Sequence, residues 1–144
     1  MKKKAGFSLI EVLISVVIIL LLVAVGAPVG LNFYLDYEFD SEYNLLFSLL
    51  RYSRNLAMVN YNESAHGLYI ENEEFTIFQG ASYAVRTVAQ DRSFKRSNAI
   101  NIAGPSEILF SALSGQTASS TYAVSDSRKS RDIYVNPEGL VYEP

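Results

Sequence analysis

Between Phe7 and Ala27 stand 21 residues of which only Glu11 is strongly polar. As a helix rising ~1.5 Å per residue this run extends roughly 31 Å, one hydrocarbon thickness of a bilayer. Lys2, Lys3 and Lys4 precede it. Cationic residues stay on the cytoplasmic side, so the rest of the chain is expected to face outward. Glu11 is the oddity, because an ionised carboxylate costs about 2.5 to 3.5 kcal/mol at mid-bilayer on insertion scales and somewhat less near a helix end. An ordinary signal sequence gains nothing from it, although Ala24-Val25-Gly26 also offers small residues at a spacing that a secretory signal peptidase accepts.

The chain of 144 residues has room for one domain, and the apolar segment takes about the first thirty. What remains can bury only a modest core. Aromatic and β-branched residues crowd the part after position 65, drawn from Tyr 10 and Phe 8 in the whole chain, and they favour a small β-rich head. The formal net charge is -3, but without the three leader lysines nine basic and fifteen acidic residues remain, giving -6. That balance opposes long-range attraction of nucleic acid. The absence of cysteine excludes disulfides, zinc thiolate sites and thiol catalysis.

After the apolar run, Leu45, Leu46, Leu49, Leu50, Ser53, Leu56 and Ala57 recur at the three-and-four spacing of an amphipathic helix, with Asp36, Glu38, Asp40, Glu42, Arg51 and Arg54 at other positions. One kinked helix from about Phe7 to about Asn60 is expected, ended by the polar stretch Asn60 to Ser64. Gly26, Pro28 and Gly30 weaken it, since an interior proline costs ~3 kcal/mol, and a bend or local unwinding is expected there. The acidic cluster from Asp36 to Glu42 reads as a solvated face, or otherwise as a contact for basic patches on neighbouring subunits.

From His66 the period becomes two. Gly67 to Ile70 and Glu74 to Phe78 form an expected hairpin across Glu71-Asn72-Glu73. Tyr83 to Val88 reads as another strand, Gln90 to Asn98 as a polar connection, and Ala99 to Ile102 and Glu107 to Ser111 as strands. Thr121 to Ser125, Asp132 to Val135 and Leu140 to Tyr142 form an antiparallel meander. Its last turn, Asn136-Pro137-Glu138-Gly139, places proline and glycine where a type I turn wants them. Asp126 to Arg131 is a basic hairpin tip.

The leader Lys4-Ala5-Gly6 followed by Phe7-Ser8-Leu9-Ile10-Glu11-Val12-Leu13-Ile14 resembles the type III signal of type IV pilins and type II secretion pseudopilins. The resemblance implies that prepilin peptidase cuts between Gly6 and Phe7 and that the new terminus is N-methylated. It places Pro28 where such chains commonly carry a helix-interrupting proline. Gly6 leaves no side chain beside the scissile bond. Once Phe7 has a free amine, a neighbouring subunit's Glu11 is its natural partner in a low-dielectric setting, which fixes axial register between subunits.

Beyond the leader, Leu50-Arg51-Tyr52-Ser53-Arg54-Asn55-Leu56-Ala57, Ile108-Leu109-Phe110 with Gly115, and Ile133-Tyr134-Val135-Asn136 with Gly139-Leu140-Val141 are similar to the GspH/FimT group of minor pilins and pseudopilins. Residues 81–98 match nothing in that group. The implied fold is α+β, a long N-terminal helix, transmembrane then amphipathic, under a small antiparallel β-sandwich head. The implied order is a cleaved leader over 1–6, an assembly helix over 7–30, its amphipathic continuation over 31–62 and the head over 63–144. The implied role is a low-abundance structural subunit near the tip of a type IV pilus or a type II secretion pseudopilus. Its implied partners are prepilin peptidase, other pilins or pseudopilins and the inner-membrane assembly platform. The implied location is the bacterial inner membrane, single-pass with the N-terminus cytoplasmic, and then a periplasmic pseudopilus or extracellular pilus.

No residue pattern calls for a cofactor, a metal or an enzyme. His66 is the single histidine and reads as structural, and no Gly-x-Ser-x-Gly elbow or phosphate-binding glycine loop is present. Arg128, Lys129 and Arg131 carry the one alternative. Some pilus relatives bind DNA during uptake through basic residues near the C-terminus, and three cations on a turn could hold phosphates. A solvated turn is the first reading, because no aromatic is interleaved to stack bases.

Overall fold

The computed structural model describes residues 8–143. One helix, α1, spans Leu9–Met58, and the chain divides into two units, up to Tyr37 and from Glu38 onward.

In the first unit α1 is apolar on every side from Leu9 to Gly26 apart from Glu11, and its side chains there are exposed. Among the described residues it is the one helix long and apolar enough to cross a membrane, and none of its most apolar stretch is buried. A bend or local unwinding was expected at Gly26, Pro28 and Gly30, and the helix assignment continues through all three. A proline removes one hydrogen bond and a glycine costs ~1 kcal/mol, while the other bonds of an apolar helix remain.

In the second unit α1 buries Phe39, Glu42, Tyr43, Leu46, Leu49, Leu50, Ser53 and Ala57, steps of three and four that set one face against the head. Among the described residues the head holds eight strands in two antiparallel sheets. β1 (His66–Ile70), β2 (Glu74–Gln79), β3 (Arg92–Lys95) and β5 (Glu107–Phe110) form one, in the order β3-β2-β1-β5. β4 (Asn101–Ala103), β6 (Ser120–Ser125), β7 (Ser130–Val135) and β8 (Val141–Tyr142) form the other, in the order β4-β6-β7-β8. Leu68, Phe75, Ile77, Ile108 and Phe110 from the first sheet meet Tyr122, Val124, Ile133, Val135 and Val141 from the second in a single core with the helix. The expected hairpin is present, with Leu68 opposite Ile77, and so is the closing meander β6-β7-β8.

Two expectations over residues 81–98 are corrected. Tyr83 to Val88 is not a strand. It contributes short 3₁₀ turns at Tyr83–Val85 and Val88–Gln90. The Tyr83 ring stacks on Tyr69 at 3.7 Å between centroids, the Arg86 guanidinium lies 3.7 Å over Tyr83, and Arg86 pairs with Asp91 at 2.7 Å. Side-chain stacking therefore takes the place of a backbone ladder. The strand sits instead inside the stretch read as a polar connection, as β3, with Phe94 opposite Phe75. Its Arg92 and Lys95 are the charges that guard an edge strand.

The helix ends at Met58, and Asn60 follows with φ 54°, the left-handed conformation that asparagine tolerates at a helix C-terminus. Behind this end the two loops of the meander side meet. Leu113 N–H donates to the Ala57 carbonyl at 2.9 Å, Thr117 N–H to Pro137 O at 3.1 Å, and Gly139 N–H closes its turn onto Asn136 O at 2.9 Å.

Candidate functional site

Glu11 occupies the first turn of α1, its N–H donating to Ser8 O at 3.0 Å, while the Ser15 hydroxyl donates to the Glu11 carbonyl at 2.8 Å. Its side chain is exposed among Leu9, Ile10, Val12 and Leu13, which are exposed as well. Among the described residues nothing pairs with its carboxylate. Gly6 and Phe7 lie outside the described residues. The arrangement is a lone acceptor set in an uncovered apolar surface, chemistry suited to a cation delivered by another chain.

The acidic cluster does not stand as a free solvated face. Glu38 accepts a short hydrogen bond from the Ser97 hydroxyl. Glu42 is buried, accepts the Ser97 N–H at 3.2 Å, and faces the buried Arg96 at 3.5 Å. Burial raises the Glu42 pKa above its ordinary value, opposed by the Ser97 N–H and Arg96. At 3.5 Å the pair attracts as charges without a well-formed hydrogen bond, and Arg96 spends its other donors on Glu71 O at 2.8 Å and Ile100 O at 2.7 Å. This clamp joins the helix to the strand β3 side of the head. Sequence reading placed Glu42 with the polar positions and missed it. The signal was its step of three and four from Phe39 and Leu46.

The structure also brings the basic residues of the β6-β7 hairpin onto carboxylates. Lys129 lies 3.5 Å from Asp40, Arg131 is 3.7 Å from Asp40 and 2.9 Å from Glu143, and Arg128 is 3.6 Å from Asp126. The Lys129 ammonium rests 4.4 Å from the Phe39 ring and the Arg131 guanidinium 4.0 Å from the Tyr43 ring. Asp126 accepts the N–H groups of Arg128 and Lys129, both at 2.7 Å, and those bonds hold its pKa below the ordinary value. Each cation of the proposed phosphate contact is thus matched by a carboxylate of the same chain.

His66 is buried at the start of β1, its Nδ1 3.1 Å from Ser64 O and its ring 5.9 Å from that of Tyr61. Burial lowers its pKa below 6.5, with Arg92 adding to the effect and the Ser64 contact opposing it. The unfolded chain then takes up the proton at higher pH than the folded one, so stability present above 6.5 is lost as pH falls from there through the folded value. Melting midpoints taken between about pH 8 and about pH 5 should show the natural chain losing stability relative to His66→Gln as pH falls. A pH-independent difference would remove the buried imidazole as the cause.

A family model described as the prokaryotic N-terminal methylation motif matches residues 1–27. Comparison with curated proteins and with solved structures finds no match. The motif supports cleavage by prepilin peptidase and assembly with other pilins. Joined to an apolar helix of membrane-spanning length, it fits a membrane-anchored, type IV pilin-like protein.

Proposed function

We propose that this protein is a minor pilin or pseudopilin of the GspH/FimT kind, a structural subunit rather than an enzyme. Prepilin peptidase cuts it between Gly6 and Phe7, Phe7 is N-methylated, and the subunit polymerises through α1 near the tip of a type IV pilus or type II secretion pseudopilus. The observation that carries this reading is the methylation motif running into a helix whose apolar stretch from Leu9 to Val25 is exposed and whose one carboxylate in that stretch, Glu11, has no partner among the described residues. Apolar surface of that extent is stable only in lipid or against other helices. Mass spectrometry of the protein recovered from membranes should find N-methylphenylalanine at Phe7. A mature terminus near Ala27 would overturn the proposal.

The alternative, a DNA-binding minor pilin of an uptake system, draws on Arg128, Lys129 and Arg131. Their pairing with Asp40, Asp126 and Glu143 disfavours it. A gel shift with the chain after Asn32 should therefore show no salt-sensitive retardation of DNA. Retardation that the triple alanine variant abolishes would restore the uptake reading.

A further inference from the structure

Beyond the apolar run, α1 carries Phe33, Tyr34 and Tyr37, exposed to 72%, 61% and 73%. No ring contact or hydrogen bond engages them among the described residues. With 3.6 residues per turn the three fall within about 100° of the helix circumference. In sequence they follow the apolar stretch at the start of the acidic segment, Phe33 and Tyr34 ahead of Asp36 and Tyr37 between Asp36 and Glu38. Aromatic rings with a polar tip concentrate where hydrocarbon gives way to headgroups, since the ring leaves water while the hydroxyl keeps hydrogen-bonding partners.

The lengths agree. A bilayer has a hydrocarbon core of ~30 Å and measures ~40–45 Å with both headgroup layers. Along the helix from Leu9, Phe33 stands at about 36 Å and Tyr37 at about 42 Å. A tilt near 20° shortens both along the membrane normal, and helical side chains lean toward the N-terminus, which carries the rings further back toward the lipid. With Leu9 at the inner edge of the hydrocarbon, the outer headgroup layer spans about 30 to 37 Å along the normal, so the Phe33 and Tyr34 rings fall inside it and the Tyr37 ring leans back to its outer boundary.

We propose that Phe33, Tyr34 and Tyr37 form an aromatic anchor that seats the unassembled subunit in the outer headgroup layer of a phospholipid bilayer. This rests on the membrane-anchored reading and adds a depth to it. The anchor also accounts for Glu11 before assembly. The carboxylate stands about 33 Å from Phe33 along the helix, so anchoring the rings on one side keeps it close to the opposite interface rather than at mid-bilayer, where it costs most.

The chain has no tryptophan, so a single introduced indole reports alone. Full-length Tyr34→Trp and, separately, Val17→Trp would be reconstituted at high lipid excess in vesicles of phosphatidylethanolamine and phosphatidylglycerol. These vesicles would carry lipids brominated either near the glycerol end or near the methyl end of the acyl chain. Tyr34→Trp should be quenched several-fold more by the shallow bromine, and Val17→Trp more by the deep one. If Val17→Trp is quenched deeply while Tyr34→Trp is unquenched or quenched by the deep bromine, the anchor is overturned and the membrane span stands. An unquenched Tyr34→Trp with blue-shifted emission would assign the rings to another protein surface, and this too overturns the anchor. If neither bromine quenches Val17→Trp, the span itself fails and the anchor with it.

Discussion

Replacing Glu11 with valine is expected to leave processing and membrane insertion intact and to abolish incorporation into filaments. The substitution removes a charge that opposes insertion, by at most about 2.5 to 3.5 kcal/mol, so targeting becomes easier rather than harder. The Gly6-Phe7 bond is untouched. On the proposed pairing, the methylated Phe7 amine of a neighbour in an assembled filament would then lose its partner inside a low-dielectric helix bundle. Breaking one side of a buried ion pair costs about 3–5 kcal/mol, equivalent to a loss of roughly a hundredfold to a few thousandfold in affinity per contact. Immunoblots of sheared filament and membrane fractions would measure it. The variant should be absent from the first and present, correctly cut, in the second. Normal incorporation would refute the register role of Glu11.

Gly139→Ala is expected to be the most damaging single-atom change in the head. Gly139 has φ +75°, and an added Cβ would lie 2.0 Å from the Gly115 carbonyl oxygen and 3.0 Å from Arg54 Nε. The obstacle is backbone, held by the Gly115 N–H bond to Ser111 O at 2.8 Å, so it cannot swing away as a side chain does. A left-handed non-glycine residue costs about 1–2 kcal/mol and overpacking about 1–3 more. At about 4–8 °C per kcal/mol for a domain of this size, the midpoint should fall by at least about 8 °C. Gly115→Ala is the control. It shares a positive φ of +66°, but its Cβ meets first the Met58 Cγ at 2.6 Å, part of a flexible side chain, so a smaller loss is expected. Equal losses in the two variants would remove the backbone clash as the cause. Circular dichroism on heating the detergent-solubilised chain measures both.

Local spacing made the processing signal and the long helix legible, because the peptidase motif, the apolar run and the Leu46-Leu49-Leu50-Ser53-Ala57 stripe are each written within a few turns. The β1-β2 hairpin and the closing meander could be read for the same reason, since short turns fix register between adjacent runs. What escaped depended on residues distant in sequence. Phe39 and Tyr43 are core residues, yet they sit among Asp36, Glu38, Asp40 and Glu42 and were hidden by them. The strand β3 passed as a connection because an edge strand needs only Phe94 to face inward. Tyr83 to Val88 alternated like a strand, but its tyrosine found Tyr69 and Arg86 instead of a ladder. The cations at 128, 129 and 131 suggested a phosphate site until Asp40, 89 residues from Lys129, appeared beside them. Glu11 has no partner among the described residues, and the one proposed for it, the Phe7 amine of a second subunit, came from the resemblance of the leader.

The attachment of α1 to the head has a mechanical meaning. The helix from Phe39 to Ala57 is held along its length. Glu42 holds Arg96 and Ser97 after β3 and Asp40 holds Lys129 and Arg131 of the β6-β7 hairpin at one end, the shared core fills the middle, and Leu113 N–H bonds the Ala57 carbonyl at the other. Tension entering along α1 is therefore carried in shear by all of these contacts together, which must fail at once. A helix attached at one end would peel away contact by contact under a far smaller force. A subunit threaded by its helix into a growing filament experiences such axial load, and this head is built to stay on its stem.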